Sequence, residues 1–486
     1  MERRISRREF GKTLARVASG AALLALQPSC TSTQRSLPLG QLLRNDLTDL
    51  SGTLLFDDAE RQAAADDFGH IVHRLPTAVL KPGSAEDIVK MVQFANRRGL
   101  KVAMRGNGHA MFGQAQVDAG VVIDSSTLNS VRVINSGGRP AIEAGPGALW
   151  SAVLDAAYAH KLTPPVTVPA FLSVGGTIST GGFHASTWRE GFQVDHVLEL
   201  QVVTGHGQLV TCSDERNSDL FNAVLAGMGQ CGIIVKVVMA LVPAPTHVLF
   251  LVLSYADWQG AIADSTFLVN DGRFNEFDGD TAVRPGGGFT FNLRCGAFYD
   301  APNSPAESQL LSGLGFASKR TRVMTYAEYY RRTPLSPSSL PHPWLHLCLP
   351  ASKSVEYGNR VLATPTEVAF SNQLFSVWRT SSMKRPLARV PKEDLVVRFQ
   401  LLRRPPASFT DIGSLVAMNR TLYERARDMG GTRLTTTAIP FSQADWIQYY
   451  GPAWESFRKA KQRFDPNNVL TPGQGMFPSA VGERGV

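Results

Sequence analysis

Cysteine is scarce in this chain, and its placement argues against a structural metal site. The sequence has five cysteines in 486 residues, with no Cys-x-x-Cys pair and no histidine cluster at metal-ligand spacing. Beyond Cys30 they are widely scattered, at Cys212, Cys231, Cys295 and Cys348. Apolar neighbours around Cys231 and Cys348 favour buried free thiols, although these four could pair if the protein is exported. We therefore predict no bound metal.

Long apolar runs and a strong net charge are also missing. The apolar stretch Val17 to Leu26 is too short to cross a bilayer, which takes about 20 apolar residues. Half of the formal charge of +8 lies in residues 1–30, which hold six cations and two acids. The charge left for the remainder is too small to imply nucleic-acid binding. The sequence therefore predicts neither a membrane span nor a nucleic-acid partner.

Residues 1–30 have the features of a targeting segment. Ser6 to Lys12 holds a twin-arginine pair ahead of the apolar stretch, and it resembles a bacterial twin-arginine leader. The alternative is a basic amphipathic tail, which fits the ordered Arg-Arg-x-Phe poorly. Cys30 raises the question of a lipid anchor, but Gln27 to Ser29 match the usual lipobox poorly. We expect export by the twin-arginine route to the periplasm or the medium.

A glycine-dense segment, Arg105 to Gln114, lies between the apolar runs Leu100 to Met104 and Gly120 to Asp124. The pattern predicts two buried strands with a loop between them. Gly106 and Gly108 lack a Cβ, so their backbone N–H groups can approach a ligand closely and bind a pyrophosphate. His109 could carry a covalent bond to a cofactor. The alternative is an ordinary glycine hairpin whose histidine bonds only locally.

The segments before and after this loop alternate strands and helices. Pro76 to Pro82 predicts a strand, and apolar residues from Ile88 at helical spacing predict a helix that Gly99 closes. Ser84 to Asp87 resembles a capping sequence at its start. A second glycine-rich stretch, Leu172 to Phe183, again allows close backbone approach to a phosphate or ring edge, against the alternative of a structural glycine turn.

Changes in residue composition and in the pattern of predicted elements divide the chain into segments. We predict a first domain over 45–245, closed by Pro243 to Pro245, and a second α+β domain over 246–440. The segment 441–486 is expected to return to the first domain. Within it, Asp445 to Arg463 predicts one helix, and Asp465 to Gln474 a compact turn.

These motifs, taken in order, resemble those of the vanillyl-alcohol-oxidase superfamily and, within it, cytokinin dehydrogenase. The resemblance covers nearly all of 50–478 and rests on segments at Arg105–Gln114, Ser173–Ser179, Val202–Gly207, Gly229–Ile234, Pro341–Leu345 and Thr471–Gln474. It implies the two-domain α+β fold of PCMH-type FAD-binding proteins, with a central α+β substrate domain. It also implies oxidation of a secondary allylic amine by hydride transfer to the flavin.

The resemblance assigns roles to individual residues. It implies that His109 holds FAD covalently and that other residues contact FAD: Gly106, Asn107, Gly108, Ala110, Gln114, Ser173, Ser179, Phe183, Ile234, Thr471 and Gln474. It places Trp344 near the substrate channel. Because no cysteine lies in 165–190, a second covalent flavin bond through cysteine is not expected.

The chain departs from the family where the family places its catalytic aspartate. Val168 stands at that position, and a valine can neither accept a proton nor form a hydrogen bond. A family tyrosine is replaced near Thr436. The candidates for a substitute base are His184, which could instead be a hydrogen-bonded wall residue, and Asp278, which could instead be a turn former.

The sequence therefore predicts an exported FAD-dependent oxidoreductase that acts on a small amine or alcohol and passes electrons to oxygen or a quinone. One alternative is an FAD-linked oxidase of a carbohydrate or secondary-metabolite alcohol. The other is a non-catalytic flavin-binding protein, which the retained His109 and intact glycine loops disfavour.

Overall fold

The computed structural model describes residues 38–332 and 338–477. The predicted twin-arginine leader and Cys30 lie outside these residues. In the described ranges, we found no helix long and apolar enough to cross a membrane. The remaining four cysteines are all buried and free, as predicted for Cys231 and Cys348.

The first part of the chain alternates short strands with helices. Its strands are β1 Thr53–Leu55, β2 Ala78–Lys81, β3 Val102–Arg105, β4 Val121–Asp124, β5 Val131–Ser136, β6 Arg139–Ala144, β7 Leu162–Thr163, β8 Val197–Thr204, β9 Leu209–Cys212, β10 Gly232–Ala240 and β11 Val242–Pro243. Its helices are α1 Leu39–Asp46, α2 Asp58–Ala64, α3 Ala85–Arg98, α4 Trp150–Tyr158, α5 Val174–Thr180, α6 Thr187–Glu190 and α7 Ser218–Val224.

Longer strands follow. They are β12 His247–Tyr255, β13 Glu276–Val283, β14 Phe289–Tyr299, β15 Ser318–Thr325, β16 Leu345–Pro350, β17 Ser371–Arg379, β18 Leu395–Arg403 and β19 Thr432–Arg433. The helices are α8 Trp258–Asp271, α9 Glu307–Leu311, α10 Tyr326–Arg331, α11 Ala351–Leu362, α12 Ile412–Asp428, α13 Gln443–Tyr450 and α14 Trp454–Phe464. Short 3-10 turns occur at Ser125–Thr127, Gln193–His196, Thr380–Ser382, Gly451–Ala453 and Pro472–Gln474.

The first sheet has the order β1-β2-β4-β3, and β4 runs parallel to both β2 and β3. The loop between β3 and β4 is therefore not a hairpin, because parallel strands cannot be joined by a tight turn. Helix α3 connects β2 to β3 and ends at Gly99, whose φ of 66° is the left-handed cap that the sequence predicts. Ser84 is the N-cap residue, as the sequence predicts, but its side chain makes no cap bond, and Asp87 accepts from Ser51 N, Gly52 N and Gly83 N.

The second sheet is antiparallel, in the order β5-β6-β10-β8-β9, with a hairpin at 205–207 joining β8 to β9. Helix α5 packs against β10. The second glycine-rich stretch is therefore not a simple turn, since residues 174–180 form this helix.

An eight-stranded antiparallel sheet, in the order β15-β12-β14-β13-β17-β18-β16-β19, forms the centre of the second domain. Directly opposed residues of neighbouring strands share a face of the sheet. One face carries the rings of Phe375 and Phe399, which pack edge-on against Trp258 of α8. The other face carries polar residues, including the opposed pairs Asp278–Arg294 and Ser376–Arg398.

The C-terminal segment packs on the first domain. Leu470 bridges Val102 of β3 in parallel, and Thr471 N donates to Val102 O at 2.8 Å. The single helix predicted over 445–463 is wrong, because the chain breaks at Gly451, with φ of 51°, into α13 and α14. Pro452 explains the break, since it lacks an N–H donor and disfavours helical backbone in the residue before it.

Candidate cofactor and substrate site

The loop after β3 is shaped by glycines that cannot be replaced without collision. A Cβ on Gly106 would collide with Ser173 Oγ, and one on Gly108, whose φ is 68°, with the Arg105 guanidinium. Asn107 fastens the loop to the segment before α5, since its N donates to Ser173 Oγ at 3.3 Å and its Nδ2 to Phe171 O at 2.7 Å. The backbone is thus held open at the place where a ligand would lie.

In this loop, backbone C=O groups point toward Phe68 and Gly69, and the His109 N–H points away from them. Gly108 O and Ala110 O accept from Phe68 N and Gly69 N, at 2.9 and 3.1 Å. Because the N–H of a trans peptide points opposite to its C=O, the His109 N–H points away from Phe68. Within the described ranges, the His109 N–H donates to no protein group, so it is available to an anionic ligand.

A carboxylate that the sequence analysis did not single out supports the loop from behind. Asp67, which is buried, accepts from Gly113 N at 2.7 Å and from Gly69 N at 3.0 Å. Burial raises the pKa of Asp67 to about 6, against the lowering effect of these two N–H groups. Nothing in the residues Asp66 to His70 indicated this role, because it depends on a contact across 46 positions of the chain.

A cavity opens over the loop. Eleven of the twelve predicted cofactor residues line it: Gly106, Asn107, Gly108, His109, Ala110, Gln114, Ser173, Ser179, Ile234, Thr471 and Gln474. Phe183 does not; it lies beside a smaller pocket and packs on Trp378, with ring centroids 5.5 Å apart. No Asp, Glu, Lys or Arg of the described residues lines the larger cavity.

The C-terminal segment closes one end of the cavity. Thr471 adopts left-handed backbone with φ of 49°, and its hydroxyl donates to Gly229 O at 3.0 Å. Gln474 O accepts from Trp446 Nε1 at 3.0 Å. On the loop, the Gln114 side chain accepts from Met111 N and Phe112 N. The loop after β3 and the C-terminal segment therefore contribute to one site.

His109 stands among aromatic rings. Its ring centroid lies 4.2 Å from that of Phe68, 5.3 Å from Phe171 and 5.9 Å from Trp344. Burial, assisted by His342, lowers the pKa of His109 to about 4. The imidazole is therefore neutral at physiological pH, with one ring nitrogen carrying a free lone pair.

The two predicted base candidates do not line the cavity. His184 has a buried Nδ1 without a partner in the described residues, and burial lowers its pKa to about 4. Asp278 accepts two hydrogen bonds from Arg294, at 2.7 and 3.1 Å. Burial opposes ionisation of Asp278, but Arg294, His184 and Arg398 together keep its pKa below the usual value. The alternative of Asp278 as a turn former is wrong, because it lies within β13.

Val168 is buried, and its neighbour Thr167 contacts Glu276, an acid that the sequence did not indicate. Thr167 Oγ1 donates to Glu276 Oε1 at 3.3 Å, and Tyr329 donates from its hydroxyl to Glu276 Oε2 at 2.8 Å. Burial raises the pKa of Glu276. Thr436, by contrast, lines the cavity, and its Oγ1 lies 2.7 Å from His346 Nδ1.

Comparison with known families agrees with this geometry. Residues 76–213 match the FAD binding domain family, and residues 319–477 match the family described as cytokinin dehydrogenase 1, FAD and cytokinin binding. Two solved structures share the fold at 19% identity. They are 6-hydroxy-D-nicotine oxidase of Arthrobacter nicotinovorans (TM-score 0.69, 86% of this chain and 96% of that one) and xylooligosaccharide oxidase of Myceliophthora thermophila (TM-score 0.72, 90% and 100%).

The fold and the site therefore define an FAD-dependent oxidoreductase with the two-domain α+β fold of PCMH-type FAD-binding proteins. Among the relatives, cytokinin dehydrogenase 1 of Oryza sativa subsp. japonica is 31% identical over 88% of this chain and 92% of its own length. An uncharacterized oxidoreductase, ORF5 in the fasciation locus of Rhodococcoides fascians, is 33% identical over 88% and 99%. The chain belongs to the cytokinin dehydrogenase family.

The residues present fit FAD. The glycine positions that exclude a Cβ and the outward His109 N–H suit a pyrophosphate, which uncharged backbone groups can bind. The cavity is lined mainly by small and apolar side chains, with amide and hydroxyl groups among them, as is usual for a cofactor site.

Proposed function

We propose that this enzyme holds FAD covalently through His109 and oxidises a small, neutral amine or alcohol. FAD supplies the acceptor for a hydride from the substrate carbon, and oxygen or a quinone then takes the electrons. We further propose export by the twin-arginine route, on the basis of the Arg7–Arg8 pair in residues 1–30.

The state and placement of His109 carry the proposal of a covalent bond. A ring nitrogen can form a bond to a cofactor carbon only when its lone pair is free, and the low pKa of about 4 keeps it free. Phe68, Phe171 and Trp344 hold the ring at the cavity wall. Such a fixed ring loses little conformational freedom on forming a bond.

The substrate class follows from what surrounds the cavity. With Val168 at the family's aspartate position and no carboxylate among the described residues of the wall, the site offers no anionic partner to a protonated amine. The enzyme would therefore take the neutral form of an amine. The same absence favours an alcohol, such as a carbohydrate or secondary-metabolite alcohol, as the second candidate, because an alcohol is neutral at every working pH.

The test is the visible spectrum of the purified enzyme mixed without oxygen with isopentenyladenine, and then with a panel of allylic alcohols and sugars. Loss of the flavin band with any of them would support oxidation of that class. A flavin that none of them bleaches but dithionite reduces would overturn the proposed substrate classes. Bleaching by alcohols alone would replace the amine with the second candidate.

A further inference from the structure

A segment of the second domain brings two threonines to the cavity wall. Residues 434–438 run beside β16, since Leu434 N donates to His346 O and Ala438 N to Trp344 O, both at 2.9 Å. Between these two anchors the backbone turns toward the first domain, and Thr435 and Thr436 reach the cavity wall. The hydroxyl of Thr435 is occupied, since it donates to Thr180 O at 2.9 Å.

The hydroxyl of Thr436 has one partner, His346. The two side chains lie 90 positions apart in the chain, with Nδ1 and Oγ1 2.7 Å from each other. A hydroxyl can donate once and accept twice, so a single bond to His346 leaves capacity for a ligand, whichever tautomer the imidazole adopts. Within the described ranges, this remaining capacity is directed at no other protein group.

His346 lies behind Thr436 as a neutral group. It is 5% exposed, and its Nε2 has no partner in the described structure. Its ring lies 5.7 Å from that of Trp344, which itself contacts His109. Burial, with Arg398 of β18 and His109 of the loop, lowers the pKa of His346 to about 3. The imidazole therefore keeps the same protonation state throughout the working range of an enzyme.

We propose that Thr436 is a specificity-determining residue, whose hydroxyl hydrogen-bonds the neutral N–H or O–H group beside the reacting carbon of the substrate, and that His346 is its positioning residue. This rests on the proposed oxidation of an amine or alcohol. The chain has Val168 where the family has its aspartate, and no carboxylate of the described residues lines the cavity, so a neutral hydroxyl at the wall takes over recognition. It can orient an uncharged substrate, and it gives no advantage to a cationic one.

The first experiment measures binding without turnover. The enzyme is reduced with dithionite under nitrogen and titrated calorimetrically with two ligands. One is isopentenyladenine and the other its analogue with an ether oxygen in place of the side-chain N–H. One neutral hydrogen bond predicts that the wild type prefers the N–H ligand by roughly three- to tenfold. If alcohols alone bleach the flavin, the same comparison uses cinnamyl alcohol and its methyl ether.

Variants of Thr436 test whether its hydroxyl causes the preference for the N–H ligand. Thr436→Val has nearly the same shape and should remove the preference, and Thr436→Ser should keep it. Thr421→Val is the matched control, because that hydroxyl is bonded to Ala417 O on the exposed side of α12. An undiminished preference in Thr436→Val would overturn the assignment of Thr436, even if the enzyme oxidises its substrate as proposed.

The role of His346 needs a separate comparison. His346→Phe should lower the preference, whereas His346→Asn, which keeps a polar group near the Nδ1 position, should restore most of it. Equal preferences in these two variants, at unchanged flavin content, would exclude His346 as the positioning residue. If no amine or alcohol bleaches the wild-type flavin, the proposed function fails, and the role of Thr436 fails with it.

Discussion

The Trp344 ring stands edge-on to His109, with centroids 5.9 Å apart and planes inclined by 78°. Trp344 belongs to the second domain, immediately before β16, and His109 to the loop of the first. The same tryptophan is 5.7 Å from His346 on its other side. One buried indole therefore connects the proposed FAD attachment point with the proposed substrate-recognition pair.

Trp344→Ala should lower the free energy of unfolding by about 3–5 kcal/mol, the usual cost of removing a buried aromatic side chain. It should also shift the flavin absorbance maxima, because the wall beside His109 would open to solvent. Urea unfolding and the visible spectrum measure the two effects. Trp258→Ala is the control: that residue packs on the opposite face of the sheet, so it should cost similar stability and leave the spectrum unchanged. Equal spectra in the two variants would contradict the placement of Trp344.

Asp67→Ala should loosen the cofactor loop. It leaves the N–H of Gly113 without its acceptor, at a cost of about 1–3 kcal/mol for a donor left buried and unpaired, and it removes one of the two acceptors of Gly69 N, which keeps Ala110 O. The expected result is a lower melting temperature and less flavin per protein after purification. Asp118→Ala changes an exposed acid of the same loop and should alter neither. Full flavin loading in Asp67→Ala would show that the loop does not depend on this carboxylate.

Buried histidines should make the protein sensitive to acid. In the folded state the pKa values of His109, His184 and His346 are lowered to about 4, 4 and 3, below the ordinary 6.5. Above pH 6.5 the three histidines are neutral in the folded and in the unfolded protein. Below pH 6.5 they take up protons only in the unfolded protein, so the free energy of unfolding falls as the pH drops toward 4. Each histidine contributes up to about 1.4 kcal/mol per pH unit. Asp67, with its raised pKa, acts in the opposite direction between about pH 6 and 4.

Denaturant unfolding between pH 7.5 and 4.5 measures this dependence. His184→Asn should reduce the pH dependence of the free energy of unfolding by about one proton. The wild-type histidine takes up a proton only on unfolding, and the asparagine takes up none. An equal slope in wild type and variant would mean that His184 is protonated when folded.

Asp278 and His184 should prove structural rather than catalytic. Asp278→Asn breaks the pair with Arg294; because Asp278 is buried and Arg294 only half-buried, the loss should cost less than the value of about 3–5 kcal/mol typical of a fully buried ion pair. His184→Ala should leave the shape of the pH–rate profile unchanged, because its ring does not reach the cavity. If the pH–rate profile of His184→Ala lacked one of the pH-dependent limbs of the wild-type profile, His184 would be the catalytic base after all.

Local sequence patterns predicted the elements that frame the site. The apolar periodicity from Ile88 predicted α3, and Gly99 predicted where that helix ends. Gly106 and Gly108 indicated the loop beneath the cavity. The contribution of Thr471 and Gln474 came from family resemblance alone, since no local pattern links them to residues about 360 positions earlier.

The missed features depend on pairing between distant strands. Asp278 looked like a turn residue beside Gly279, and its bond to Arg294 follows only from the register of β13 and β14. The contact of His346 with Thr436 needs β16 and the segment after β19 to lie side by side. Hydrophobic patterning specifies which face a strand buries, but it does not reveal such partners. The break at Gly451, in contrast, was readable, because Pro452 follows it.

The most direct test of the account is whether the flavin remains with the polypeptide after denaturation. Wild-type enzyme and His109→Ala are precipitated with trichloroacetic acid, and flavin absorbance is measured in the redissolved pellet and in the supernatant. Attachment through His109 predicts flavin in the wild-type pellet and its absence from the His109→Ala pellet. Flavin released into the wild-type supernatant, or retained by the His109→Ala pellet, would contradict attachment through His109.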